Sequence, residues 1–182
     1  DGREVELYDA YNALSSIQRV SGAQEYVLVY DNSAAHLLTQ VRDAFGHALS
    51  FTYDTQGRLS TMTDPNGGVY QYTWDANNNL TSVTYPDGKI RSYLYGESSL
   101  TAGVSQPKLL TGIVDENGIR FANFGYDATG LAIMSEHAGG ALHVGISWTT
   151  PPKIVGSVAI DANNHTETDS LYFQAPTGTA GA

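Results

Sequence analysis

Residues 51–80, FTYDTQGRLSTMTDPNGGVYQYTWDANNNL, contain one pattern twice and decide the fold. Two aromatic residues flank one other residue and precede an aspartate, first at Tyr53-Asp54 and then at Trp74-Asp75. We call the aromatic residue directly before the aspartate the marker. A leucine follows each of these markers six residues later, and a Pro/Asn/Gly turn separates the two copies. The pattern raises two alternatives: a ligand site presented repeatedly, or a structural contact of a repetitive scaffold.

The marker recurs along the chain at a nearly constant interval. Successive markers lie 21–24 residues apart, except for one step of 31 residues before Tyr126. A fixed period of this size is the signature of a repeat architecture. The markers that keep their aspartate are Tyr8-Asp9, Tyr30-Asp31, Tyr53-Asp54, Trp74-Asp75 and Tyr126-Asp127, and those that lack it are Tyr95, Trp148 and Tyr172.

Glycines keep step with the markers and indicate turns. A glycine precedes the next marker by seven or eight residues at Gly22, Gly46, Gly67, Gly88, Gly118 and Gly140. Such turns need a positive φ, which glycine adopts without steric cost. Two turns per unit, each with a strand on either side, predict an all-β array of antiparallel β-hairpins with repeats of about 21–23 residues.

Side-chain size alternates along each strand that ends in a marker. The marker and the residue two before it are bulky, and the residue between them is mostly smaller, as in Phe51-Thr52-Tyr53. Because strand side chains alternate between faces, the bulky columns are predicted to share one face. The aspartate after the marker is predicted to accept hydrogen bonds from backbone N–H groups of the next turn.

The array is predicted to cover residues 1–174. The extra residues of the long step fall in a polar stretch with glycine and proline, which predicts an insertion loop at 97–107. The low-complexity sequence APTGTAGA predicts a flexible tail at 175–182. The chain opens with Asp1 rather than Met, so we expect an internal piece of a longer protein.

Composition disfavours several classes of function. The 19 acidic and 9 basic residues give a net charge of −10, which repels the phosphate backbone of nucleic acids. The absence of cysteine excludes disulfides and thiolate metal sites. No apolar run approaches the roughly 20 residues of a membrane-spanning helix, and the chain carries no targeting signal.

A calcium site is the first alternative that the motifs leave open. Asp75-Ala76-Asn77-Asn78-Asn79 places oxygen ligands at alternate positions, but its sixth and twelfth positions are Leu80 and Pro86 rather than Gly and Glu. An Asx-rich turn is therefore favoured. The segment Asp161-Ala162-Asn163-Asn164-His165 is a weaker match still.

Catalysis has no local signature in this sequence. His137 and His143 are six residues apart, but the Gly139-Gly140 turn lies between them, which disfavours a zinc site. A nucleophile elbow is absent. We therefore predict no catalytic, metal-binding or cofactor-binding residues, and a protein that is not an enzyme.

Carbohydrate or cell-surface binding remains the alternative function. Tyr and Trp faces stack on sugar rings, and Asp and Asn bind hydroxyls. The aromatic residues, however, recur at strand positions where cross-strand packing already accounts for them.

The stretch YDTQGRLSTMTDPNGGVYQYTWD, residues 53–75, resembles the tyrosine–aspartate (YD) repeat of Rhs proteins, with a Tyr-Asp-x-x-Gly-Arg-Leu core followed by Asp-Pro-x-Gly. Residues 109–140, LLTGIVDENGIRFANFGYDATGLAIMSEHAGG, are similar to the typical run in bacterial Rhs proteins of polymorphic-toxin systems. The chain departs from the pattern where Asn77-Asn78-Asn79 replaces Gly-Arg, where Gly96 replaces an aspartate, and in the degenerate units after Gly140.

The resemblance implies a curved spiral sheet, a segment of the shell that Rhs proteins share with Tc-toxin shell components and teneurins. In bacterial members this shell encloses a C-terminal toxin, so the implied function is a structural segment that encapsulates a toxin in a secreted effector, with type VI secretion as one delivery route. The implied partners are the rest of the shell and the toxin. The implied location is secreted or cell-surface. The self-cleavage segment Asp-Pro-x-Gly-Leu is not matched, because Gly68 follows Asp64-Pro65-Asn66-Gly67.

Incomplete arrays leave strand edges with unpaired N–H and C=O groups. We therefore expect a homodimer, a borrowed strand, or edges covered by the terminal segments.

Overall fold

The computed structural model describes residues 3–148, 154–160 and 166–169, and for the last two stretches only the backbone is described. Marker Tyr172, the tail at 175–182 and the segment 161–165 lie outside the described residues. The strands are β1 (Glu4–Tyr8), β2 (Leu14–Arg19), β3 (Gln24–Tyr30), β4 (Leu38–Asp43), β5 (Ala48–Tyr53), β6 (Leu59–Thr63), β7 (Val69–Trp74), β8 (Leu80–Thr84), β9 (Ile90–Tyr95), β10 (Leu110–Val114), β11 (Arg120–Tyr126), β12 (Ala132–His137), β13 (His143–Trp148), β14 (Ile154–Ile160) and β15 (Thr166–Asp169). Two 3-10 turns, Ser98–Leu100 and Ala138–Gly140, are the only helical elements in this part of the chain.

The chain divides into two compact units. The first comprises Asp1–Thr73 and Val83–Lys89, and the second comprises Trp74–Ser82 and Ile90–Ala182. In the first unit, each strand from β1 to β7 pairs antiparallel with its neighbour in the chain. In the second unit, the strands from β9 to β15 do the same. The predicted all-β array of antiparallel hairpins is confirmed.

Burial follows the predicted alternation over the last three residues of β3, β5, β7 and β13, but not in β9 and β11. In β7 the side chains of Tyr70, Tyr72 and Trp74 are half-buried, whereas Val69 and Thr73 are exposed. Few apolar residues are buried: within the described residues these are Val83, 8% exposed, and Ala122, 4% exposed. Half-buried bulky columns are what a sheet produces when side chains are covered by their cross-strand neighbours. The bulky side chains therefore pack mainly against side chains of adjacent strands.

In several strand pairs a bulge lies opposite the marker, on the strand that follows it. The pairing register shifts between the marker and the residue before it, at Leu7/Tyr8, Val29/Tyr30, Thr52/Tyr53, Gly125/Tyr126 and Ser147/Trp148. A bulge inserts an extra residue, increases the local twist and re-aims a side chain. The extra residue lies on the returning strand, as at Ser15 and Thr39, so the marker faces the bulge and is not part of it.

Candidate functional site

Five markers donate hydrogen bonds to backbone carbonyls of the preceding repeat. The Tyr126 hydroxyl donates to the Leu110 carbonyl at 2.9 Å, and the Trp148 indole N–H donates to the Ala132 carbonyl at 2.6 Å. Equivalent bonds join Tyr30 to Leu14, Tyr53 to Leu38, and Tyr95 to Leu80. Each acceptor is the first residue of its strand and lies 15 or 16 residues earlier in the chain. We call this contact the marker–carbonyl bond.

Tyr8 shows what a marker does without such an acceptor. Its hydroxyl donates to the Glu6 carboxylate at 2.6 Å, and the residue is 57% exposed. The other markers within the described residues are half-buried. The polar atom of a buried tyrosine or tryptophan usually has a hydrogen-bond partner, and for these markers the carbonyl supplies it.

The aspartates after the markers organise the turns. One carboxylate oxygen of Asp54 accepts the N–H groups of Gln56 and Arg58, at 2.8 and 3.0 Å. The same oxygen, Oδ1, accepts two backbone N–H groups in the turns that begin at Asp9, Asp31, Asp75 and Asp127. Turns without a marker use the same device at Asp43, Asp64 and Asp115.

Hydrogen bonding favours the ionised form of these carboxyls. The backbone N–H of Arg58, with its guanidinium, lowers the pKa of Asp54, and the backbone N–H of Asn79 lowers the pKa of Asp75. The Thr129 hydroxyl and the N–H of Leu131 lower the pKa of Asp127. Burial instead raises the pKa of the Tyr53, Tyr95 and Tyr126 hydroxyls. The carboxyl is thus held as an acceptor and the phenol as a donor.

The predicted turn glycines adopt the left-handed conformation. Gly22, Gly46, Gly67, Gly88, Gly118 and Gly140 have φ between 77° and 90°. The turns after the markers contain the same conformation at Gly57 and Gly130, but at Asn12, Asn78 and His36 a side chain tolerates it. Asparagine is the usual alternative to glycine there, and histidine is less common.

The calcium-like segment is occupied by its own hydrogen bonds. Oδ1 of Asp75 accepts the N–H groups of Asn77 and Asn79, and Oδ2 accepts the Asn79 side-chain amide at 2.8 Å. These bonds form the Asx-rich turn that the sequence favours at this segment. No group of three or more His, Cys, Asp or Glu side chains within metal-binding reach occurs in the part of the chain that the structure describes.

His137 and His143, the candidate zinc ligands, contact different neighbours. Nδ1 of His143 lies 3.0 Å from Oε2 of Glu136, whose other oxygen accepts the Asn123 amide at 3.0 Å. The His137 ring packs on Phe121 with a centroid distance of 4.8 Å. The structure therefore does not bring His137 and His143 together on one ion.

The insertion loop is fastened at its C-terminal end. The Asn79 amide donates to the Pro107 carbonyl at 2.8 Å, and the Gln106 amide donates to the Asp127 carbonyl at 3.0 Å. Thr101 is fully buried, and its hydroxyl donates to the Val104 carbonyl at 2.7 Å. The loop thus contacts the turns that follow two different markers.

An arginine cluster in the second unit was not found from the sequence. The Arg120 guanidinium donates to both oxygens of Glu97, at 3.0 and 2.7 Å, and to the Thr111 carbonyl at 2.9 Å. It lies across Gly112, where a Cβ would come within 1.9 Å of the guanidinium. The Thr111 hydroxyl completes the network by donating to Glu97 at 2.7 Å. The available signal was Gly112, a glycine inside a strand, which often marks a close approach.

A second missed contact surrounds His36 in the first unit. Its ring stacks on Tyr30 at a centroid distance of 4.6 Å and packs on Tyr11 at 4.4 Å. Nε2 lies 2.7 Å from Oδ2 of Asp9. His36 therefore connects the turns of two successive repeats.

Comparisons with known proteins agree with this geometry. The family model described as RHS Repeat matches residues 30–69 and 54–90. A search among curated proteins finds no sequence match. In the part of the chain that the structure describes, no helix has the length and apolar character to cross a membrane.

Solved structures with a similar fold are toxin complexes. A Photorhabdus luminescens Tc holotoxin pore is 13% identical, with a TM-score of 0.61 over 92% of this chain and 9% of that chain. The crystal structure of TcdB2-TccC3-TEV is 14% identical, with a TM-score of 0.56 over 91% of this chain and 10% of the other. The crystal structure of TcdB2-TccC3 is 13% identical, with a TM-score of 0.55, and the match covers 92% of this chain and 11% of that chain. The chain spans about a tenth of those chains, and at this identity the likeness concerns the fold.

Proposed function

Because this chain carries the repeats of the Rhs family, matched over residues 30–90, we propose that it is a structural, non-enzymatic segment of an Rhs-type β shell that encapsulates a toxin. In this proposal, residues 1–174 form one wall segment with residues 97–107 as its insertion. The parent protein is a secreted or surface-displayed bacterial effector, with type VI secretion as one route. Its partners are the remaining shell and the enclosed toxin domain.

The marker–carbonyl bond is the observation that carries the proposal. A sugar-binding array would expose the ring faces of its repeated aromatic residues and leave the aspartates beside them free for hydroxyl groups. Here the hydroxyls of Tyr53 and Tyr126 and the indole N–H of Trp148 are engaged by backbone carbonyls. The turn aspartates are engaged by backbone N–H groups in the same way. The repeated signature therefore supports a wall whose side chains hold successive strands together.

Tryptophan fluorescence separates the wall from a carbohydrate-binding array. Trp74 and Trp148 are both markers and both half-buried. Acrylamide is expected to quench them weakly, and a panel of soluble glycans is expected to leave emission unchanged. Strong quenching, together with a change in emission that saturates with one glycan, would contradict the wall proposal and support a binding function.

Encapsulation is tested on the parent chain. Limited proteolysis of the native parent is expected to spare the toxin segment until the shell is opened with denaturant. A control parent with a protease site inserted into the exposed Ala102–Ser105 tip of the loop reports whether protease reaches the wall itself. A toxin segment cut as fast as that inserted site would contradict encapsulation.

Strand β1 carries the proposal of a homodimer. All five residues of Glu4–Tyr8 are exposed, and β2 is the pairing partner of this strand. Sedimentation at increasing concentration tests whether a second copy pairs here. A monomer at every concentration would contradict the dimer and leave the wall proposal intact.

A further inference from the structure

A groove of about 570 Å³ lies in the first unit, away from the marker–carbonyl bonds. Three segments line it: the start of β1, the end of β2 with the turn into β3, and the turn after β4. The charged and aromatic residues in its lining are Glu4, Arg19, Glu25, Tyr26, Asp43 and Phe45. None of them is a marker, so the repeat function leaves this groove without a role.

The groove carries an excess of negative charge. Glu4, Glu25 and Asp43 contribute three carboxylates against the single guanidinium of Arg19. Arg19 forms its ion pair with Glu25, and Glu4 lies directly opposite Arg19 in the pairing of β1 with β2. One guanidinium therefore serves two glutamates. Asp43 accepts the N–H groups of Phe45 and His47 and lies 2.8 Å from Nδ1 of His47, so a second cation in the groove would pair with Glu4.

Two aromatic side chains line the same groove. Phe45 is 88% exposed at the turn after β4, and Tyr26 is 45% exposed on β3, opposite Asp43. A phenylalanine this exposed buries little apolar area within its own chain. The face of an aromatic ring attracts cations, and arginine also stacks flat on it.

We propose that this groove binds a basic side chain of a polypeptide partner, with an arginine guanidinium lying between the Glu4 carboxylate and the Phe45 and Tyr26 rings. The carboxylate supplies charge-assisted hydrogen bonds, and the rings cover the guanidinium faces. The net negative charge of the groove favours this occupant over a neutral sugar, for which the carboxylates bring no ionic gain. The binding does not depend on the chain being part of a shell.

The experiment uses the intact chain and a short peptide with two arginines, and the matched peptide with citrulline in place of arginine. Ring NMR signals of Phe45 and Tyr26 are expected to shift saturably with the arginine peptide and to return towards their free positions at 0.5 M salt. Citrulline keeps the planar shape but removes the charge, and its carbonyl oxygen replaces one NH2 group of the guanidinium. Equal shifts with the two peptides, or no shift, would overturn the proposal.

Variants assign the site. Glu4→Gln and Phe45→Leu are each expected to weaken binding about two- to fivefold, as for an exposed cation–ring contact. Glu6→Gln on the same strand and Phe121→Leu in the second unit remove the same charge and the same ring outside the groove, and should leave the affinity unchanged. Equal losses in these controls would refute the assignment. Saturable shifts with methyl glycosides in place of the arginine peptide would refute it too and identify a sugar site.

Discussion

Replacing Tyr126 by phenylalanine removes one marker–carbonyl bond and keeps the ring. The lost contact is the 2.9 Å bond from the Tyr126 hydroxyl to the Leu110 carbonyl. A hydrogen bond of this kind contributes about 0.5–1.5 kcal/mol, and leaving a partly buried acceptor without its donor adds to the cost. We therefore expect Tyr126→Phe to lower the free energy of unfolding by about 1–2 kcal/mol. For a chain of this size that corresponds to roughly 2–8 °C in Tm.

Tyr93→Phe is the matched control. Tyr93 is half-buried in the same unit, two residues before marker Tyr95, and its hydroxyl makes no hydrogen bond within the described residues. The change should therefore stay within about 0.5 kcal/mol. Trp74 and Trp148 both belong to the second unit, so their fluorescence during urea unfolding reports on it directly. Equal stability losses in the two variants would refute the claim that the hydroxyl–carbonyl bond, rather than the ring, holds adjacent repeats.

Three further predictions concern the rest of the sheet. Gly112→Ala should displace the Arg120 guanidinium from Glu97 and destabilise the second unit by about 1.5–3 kcal/mol in urea unfolding. Gly145→Ala is the control, because a Cβ there meets no atom within 4 Å, and it should cause no such loss. Similar losses of stability in both variants would contradict the close approach of Arg120 to Gly112. The lowered pKa values of the turn aspartates mean that their stabilisation is present above the ordinary carboxyl pKa of 3.8 and is lost as the pH falls through the folded-state values. Urea unfolding followed by circular dichroism at pH 7, 4 and 3 should show the urea midpoint of unfolding decreasing below pH 4. A midpoint that stays constant would contradict this stabilisation. Gln106→Ala should release the loop from the Asp127 carbonyl and speed its cleavage by proteases, with Lys108→Ala as the exposed control, and unchanged cleavage would show that the bond does not hold the loop.

The period and the parity of the sequence were sufficient to predict strands, turns and the half-buried face. Both follow from local rules: left-handed turn positions select glycine, and a strand alternates its faces at every residue. The same rules led from the aspartate to its bonds with N–H groups two and four residues ahead, as at Asp54.

The contacts between repeats could not be predicted in this way. The acceptor of Tyr126 is a backbone carbonyl 16 residues earlier, and every residue has such a carbonyl, so no side-chain type signals it. The bulge opposite the marker depends on the register between two strands, which the sequence of one strand does not contain. Arg120 lying across Gly112 requires an ion-pair partner from the insertion loop, Glu97, whose position depends on the path of that loop.

Spectrophotometric titration of the tyrosine phenols tests most directly whether the markers are hydrogen-bond donors within the sheet. Burial raises the pKa of Tyr53, Tyr95 and Tyr126, so the stability that depends on their neutral form is present below the ordinary pKa of 10.0 and is lost as the pH rises through the folded-state values. Absorbance at alkaline pH is expected to show Tyr53, Tyr95 and Tyr126 ionising only together with loss of the β-sheet circular dichroism signal. Ionisation of all tyrosines in one step, with the sheet intact, would contradict the structural role of the repeated signature.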